Sequence, residues 1–174
     1  MTISPEEFGS LFATFEREAF RLETLSVYTV PDEQETFARF KAGEAQPEQH
    51  RNAPWVGTVR RNVEAGRRMY RVHVVRRPLT DYLRYEMGWG YQRNAAAGEE
   101  FFILDVTGRA NPLDGVPDFW AFDKSTVISM QYNASGEFLG ARREQDAERW
   151  HAHRDAALAE AVPFAAWWAV HGGG

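Results

Sequence analysis

Hydrophobic positions along the chain change period several times, and each change marks an element. Ser4-Pro5-Glu6-Glu7 opens the first. Ser4 suits the N-cap, Pro5 the first helical position, and Glu7 completes a capping box. Phe8, Leu11, Phe12, Phe15, Ala19 and Leu22 then recur at helical spacing. They predict a helix as far as Glu23 with its Phe-rich face in the core. Residues 25–30 are β-branched and read as a strand closed by Pro31. Helices are expected over 35–42 and 55–65, each ended by a glycine, with a polar loop over 44–52.

The period becomes two at residues 70–75. Tyr70, Val72 and Val74 alternate with Arg71, His73 and Val75, which predicts a strand with the first set in the core. Pro78 ends it, Thr80 caps a new helix, and Tyr82, Tyr85, Glu86, Trp89 and Arg93 share one side of that helix. Gly88 and Gly90 inside this pattern permit close packing or a kink, and Gly98 stops it. Residues 101–106 and 119–122 are further strands. Residues 126–132 and 137–142 flank Asn133-Ala134-Ser135-Gly136 as a hairpin. Residues 145–161 form a helix, Pro163 interrupts it, and a last turn or two carries Trp167 and Trp168 before a frayed Gly172–Gly174.

The expected fold is one α+β domain spanning residues 1–174. A mostly antiparallel sheet of about five or six strands carries helices chiefly on one face. The N-terminal and C-terminal helices should pack together on its apolar side.

Composition narrows the functions available. The 174 residues include no cysteine, which removes disulfides, thiolate metal sites and cysteine nucleophiles. No apolar stretch is long enough for a membrane span, and MTISPEEF lacks the basic-then-apolar pattern of a secretory leader, so a cytoplasmic location is expected. Net charge is −5, but residues 51–98 hold ten arginines against Glu64, Asp81 and Glu86, a local balance of +7. The remainder stands at −12, and could fold back on the basic segment and cancel it.

No metal site and no cofactor are expected. His151 and His153 are two apart and diverge on a helix, and His73 is alone on its strand. Phosphate-binding glycine loops and a nucleophile elbow are absent. The candidate site is an electropositive concavity of Arg71, His73, Arg76, Tyr82, Tyr85, Glu86 and Trp89. Arginines there could hold an anion while aromatic walls exclude water. The competing expectation is a structural network in which Asp118, Asp123, Glu99 and Glu100 consume those arginines.

The stretches FEREAFRLETLSVY, RVHVVRRPLTDYLRYEM with the following AGEE, DFWAFD and MQYNASGEFLG resemble a family of small actinobacterial proteins known only as a domain of unknown function. Members of that family are often encoded beside XRE-type helix-turn-helix regulators. The resemblance runs nearly end to end and implies a regulatory role, with such a regulator as one partner. The favoured expectation is an accessory binding protein that engages a protein or an anionic small molecule. The alternatives are a small enzyme acting on a phosphorylated or otherwise anionic substrate through Arg71, His73, Arg76 and Glu86, and, third, nucleic-acid binding.

Overall fold

The computed structural model describes residues 1–51 and 53–172. Helix α1 (Pro5–Thr14) begins as expected: Ser4 Oγ accepts the Glu7 N–H at 3.1 Å and Glu7 Oε2 accepts the Ser4 N–H at 3.1 Å. It stops well before Glu23. The chain instead enters strand β1 (Glu18–Glu23), and this is the main correction to the sequence reading. Residues 25–30 form no named strand; Thr29 makes an isolated bridge to Glu137. A turn at Pro31–Glu33 leads to α2 (Gln34–Lys41), and the expected loop contains a short α3 (Glu48–Arg51).

Helix α4 (Pro54–Glu64) precedes β2 (Arg68–Val75). A helical run then comprises α5 (Asp81–Tyr85), a π-helical segment (Glu86–Tyr91) and α6 (Gln92–Ala96). The glycines at 88 and 90 lie inside the widened turns, where a kink was anticipated. Gly98, at φ +108°, ends the run. A Cβ there would come within 2.8 Å of Val63 Cγ1, so only glycine fits. Strands β3 (Glu100–Asp105), β4 (Phe119–Phe122), β5 (Thr126–Tyr132) and β6 (Phe138–Arg143) follow, then α7 (Ala147–Glu160), a two-residue β7 (Val162–Pro163) and α8 (Phe164–His171). The frayed end expected at Gly172–Gly174 lies largely outside the described residues.

The architecture is α+β. The sheet has seven strands in the order β6-β5-β4-β1-β2-β3-β7 and is mixed, not mostly antiparallel as expected. β1, β2 and β3 run parallel, while the flanking ladders are antiparallel. A parallel neighbour requires a crossover, and α4 and the α5–α6 run supply the two crossovers.

The two sheet faces differ sharply. On the back face Phe20, Leu22, Tyr70, Val72, Val74, Leu104 and Phe119 form one apolar cluster, covered by Ala157, Trp150 and Leu158 of α7. Helix α1 lies on the other side, where Phe8, Leu11 and Phe12 pack with Trp120 and Phe122. Helices α1 and α7 therefore cover opposite faces, while the last helix, α8, shares the front face with α1. The front face also receives α4, the α5–α6 run and α8.

Candidate functional site

Register places the site. On the front face Arg21 of β1 stands beside Arg71 of β2, with Trp120 of β4 and Phe101 of β3 on either side. The next rung pairs Glu23 with His73. Two arginines directly opposite one another would repel. They are held by carboxylates instead. Arg71 donates Nε and Nη2 to Glu99 Oε1 at 2.9 and 2.5 Å, and Nη1 to Glu23 Oε1 at 3.1 Å. Arg21 donates Nη2 to Asp118 Oδ2 at 3.0 Å and to Tyr132 Oη at 3.1 Å, and its Nε is 3.9 Å from Glu23 Oε1. Asp118 also accepts the Thr24 N–H, the Thr24 hydroxyl and the Tyr28 hydroxyl, which fixes the segment after β1.

These pairings set the ionisation of the site. Burial alone would raise the Glu23 carboxyl, but Arg71, His73 and Arg21 together with the Tyr91 hydrogen bond outweigh it and bring its pKa down to about 2. Burial would likewise depress Arg71, and the Glu99 and Glu23 carboxylates instead hold it well above the usual guanidinium value. Glu86 is the contrast: burial, and then the Glu23 charge, push its carboxyl well above the ordinary range.

The π segment supplies the site's second wall. Glu86 and Tyr91 are five apart, so a π turn brings both toward the sheet. Tyr91 Oη donates to Glu23 Oε2 at 2.5 Å and lies 2.7 Å from His73 Nδ1. His73, fully buried, places Nε2 2.8 Å from Leu25 O.

Above this floor lies a cavity of about 560 Å³. Its walls are largely aromatic, from Trp55, Trp120, Tyr28, Tyr82, Tyr85 and Tyr132. Arg21, Glu86, His50 and Arg93 also line it. Arg93 has no carboxylate within 4 Å among the described residues and instead donates to His50 O and Asn94 Oδ1. Among the described residues, the buried side-chain polar atoms that lack a hydrogen-bond partner are Arg21 Nη1, Glu86 Oε2, His50 Nε2 and His151 Nδ1. The first three belong to residues of this one cavity.

The structure brings Arg71, His73, Tyr82, Tyr85 and Glu86 together around the cavity and its floor. It does not bring Arg76, which shares the parity of Tyr70, Val72 and Val74 and donates to Val106 O and Arg109 O instead. Trp89 stands one layer back, against Tyr85, His50 and Phe40. The carboxylate expectation holds for Glu99, which takes Arg71; Asp118 pairs instead with Arg21, outside the expected arginines. Glu100 pairs with exposed Arg68, and Asp123 takes no arginine but accepts the N–H groups of Glu16, Arg17 and Glu18. Each side-chain nitrogen of Arg71 donates to a carboxylate, Glu99 or Glu23. Arg21, Glu23, Tyr28 and Tyr91 were missed. The available signal was Arg21 and Glu23 at period two within an otherwise apolar stretch, hidden by the helical spacing of Phe15, Ala19 and Leu22.

Residues 6–169 match the family described as a domain of unknown function, DUF6879, and the chain belongs to that family. No curated protein matches the chain.

Proposed function

We propose that this member of the DUF6879 family binds a small organic ligand in the front-face cavity. The ligand would have a planar, apolar body and an oxygen acceptor directed at Arg21. The observation that carries the proposal is that Arg21, Glu86 and His50, which all line one aromatic-walled cavity, each hold a buried polar atom with no hydrogen-bond partner among the described residues. A buried donor or acceptor without a partner costs about 1–3 kcal/mol, so unpaired groups gathered at one cavity favour an occupant that pairs them. The Arg21 side chain is only 6 % exposed, which makes its free Nη1 a strong donor to a carbonyl or carboxylate. The volume falls within the usual ~300–1,000 Å³ of small-molecule sites.

Arg71 is not the anion receptor in this reading, because each of its three side-chain nitrogens already donates to a carboxylate. Direct nucleic-acid binding by the basic segment loses support for a similar reason: Arg71 is buried and Arg77 is paired with Asp105. Regulation of a protein partner fits as an extension. Val30 and Phe138 line the cavity mouth at 36 % and 50 % exposure, where occupancy could alter a surface that the partner reads.

Native mass spectrometry of the protein taken from its source cell should show a bound organic molecule of a few hundred daltons, released on denaturation. Val30→Trp narrows the mouth without touching the core. It should keep the parent melting temperature and lose the bound mass. A parent protein that carries no small molecule and shows no thermal shift with any member of a metabolite library would sink the proposal.

A further inference from the structure

Glu23, His73 and Glu86 come from β1, β2 and the π segment, and each turns one ligand atom toward a common point. One ligand atom from each of the three residues lies within 4.8 Å of the other two. Nδ1 is 3.4 Å from Glu23 Oε2 and 3.6 Å from Glu86 Oε2. Two donors on one ion, each bonded at about 2.0–2.2 Å with angles between octahedral and tetrahedral, stand about 2.8–3.6 Å apart.

Leu25 O can only accept, so the 2.8 Å contact requires the proton on His73 Nε2. In the neutral imidazole Nδ1 then offers a lone pair. The O–H at hand is that of Tyr91, 2.7 Å from Nδ1 and 2.5 Å from Glu23 Oε2, and it can serve only one of them. Glu86 Oε2 has no hydrogen-bond partner among the described residues. His73 Nδ1 and Glu23 Oε2 thus share a single O–H while Glu86 Oε2 has none, an arrangement that calls for a positive centre among them.

We propose that Glu23, His73 and Glu86 bind a divalent transition-metal ion at the floor of the cavity. One imidazole nitrogen and two carboxylate oxygens suit Zn²⁺ or Mn²⁺ better than Ca²⁺ or Mg²⁺, which prefer oxygen-only sets. The surroundings have the form of a supporting shell. The Nε2–H bond to Leu25 O fixes the ring's tautomer, as backbone carbonyls do for metal-ligating histidines. Arg71 holds Glu23 by Oε1, leaving Oε2 turned inward, and spends its other nitrogens on Glu99. The competing occupant of the same point is a proton, carried by His73 or by Glu86.

Titration of EDTA-treated protein with ZnCl₂ and with MnCl₂, followed by calorimetry and melting temperature, separates the two. The parent should bind a single equivalent of at least one ion and melt at a higher temperature with it. Glu86→Gln removes a ligand oxygen that has no hydrogen bond to lose. It should fold with an unchanged melting temperature without metal and bind at least about tenfold more weakly. Tyr91→Phe keeps all three ligands and removes the competing hydroxyl, so it should still bind. Absence of saturable binding by the parent would assign the point to a proton and overturn the metal site. Binding that survives Glu86→Gln unchanged would place the ion on other histidines and overturn it equally. No organic ligand enters these titrations, so their failure leaves the bound-mass test of the cavity standing.

Discussion

Arg71 shows how far the role of one residue depends on its partners. Its strand position exposes the guanidinium to the front face, where it could have received a ligand. Instead Glu99 and Glu23 occupy all three nitrogens, and the side chain is only 10 % exposed. Removing one member of a buried pair leaves the others charged and unsolvated. Arg71→Ala should therefore cost about 3–5 kcal/mol, read as a lowered midpoint in urea denaturation. A variant with parental stability would show that Glu23 and Glu99 do not need it. Arg21 differs by one atom: Asp118 and Tyr132 take Nη2, and Nη1 is left for the cavity.

At the scale of elements, the cavity mouth depends on a contact between two segments that have little regular structure between them. Thr29 N–H donates to Gly136 O at 2.9 Å and its hydroxyl to Ser135 O at 2.7 Å, which binds the segment after β1 to the β5–β6 turn. Gly136 makes this possible twice over. Its φ is +79°, and a Cβ would come 2.3 Å from Val27 O. Gly136→Ala should lower stability by about 2 kcal/mol, through left-handed strain and displacement of the Val27 backbone. It should also weaken retention of the cavity's occupant; thermal denaturation and native mass spectrometry on the same sample check both. The π segment is the other element on which the site depends, since an uninterrupted α-helix would not place Glu86 and Tyr91 on one side.

Across the whole molecule, the uneven charge of the sequence is resolved by the sheet. Arg68 pairs with Glu100, Arg71 with Glu23 and Glu99, and Arg77 with Asp105, so acids outside residues 51–98 neutralise arginines inside them. Stability should follow pH accordingly. Burial would raise Asp105, but bonds from Thr107, Arg77 and Trp167 outweigh it and hold it well below the usual carboxylate range. That contribution is present above the unfolded carboxyl pKa and is lost as pH falls through the folded one. His50 acts higher on the scale. Burial, and then the Arg93 charge, bring its pKa from 6.5 to about 4. Between those values the unfolded chain binds a proton that the folded chain refuses, so this contribution weakens as pH drops through the window. His50→Gln should remove that loss: the parent's stability relative to the variant should decline from pH 6.5 to pH 4 in matched urea titrations. A difference constant across the window would show that His50 titrates normally.

The sequence by itself determined the elements whose patterns are local. Ser4-Pro5-Glu6-Glu7 starts a helix through bonds among its own residues. Tyr70, Val72 and Val74 face the back core, Gly98 ends the α5–α6 run, and Asn133–Gly136 turns the hairpin. It also fixed that Arg71 and His73 share a face with Tyr82, Tyr85 and Glu86 nearby. Tertiary structure alone decided β1 and everything that follows from it. Strand Glu18–Glu23 buries an arginine and a glutamate, a pattern that no local rule reads as a central strand. It becomes stable only when Asp118 and Arg71, 97 and 48 residues away along the chain, supply the opposite charges. Ion pairing over such separations leaves no period in the sequence. For that reason the cavity, its unpaired Arg21 nitrogen and the Glu23–His73–Glu86 cluster appear only once the strands are in register.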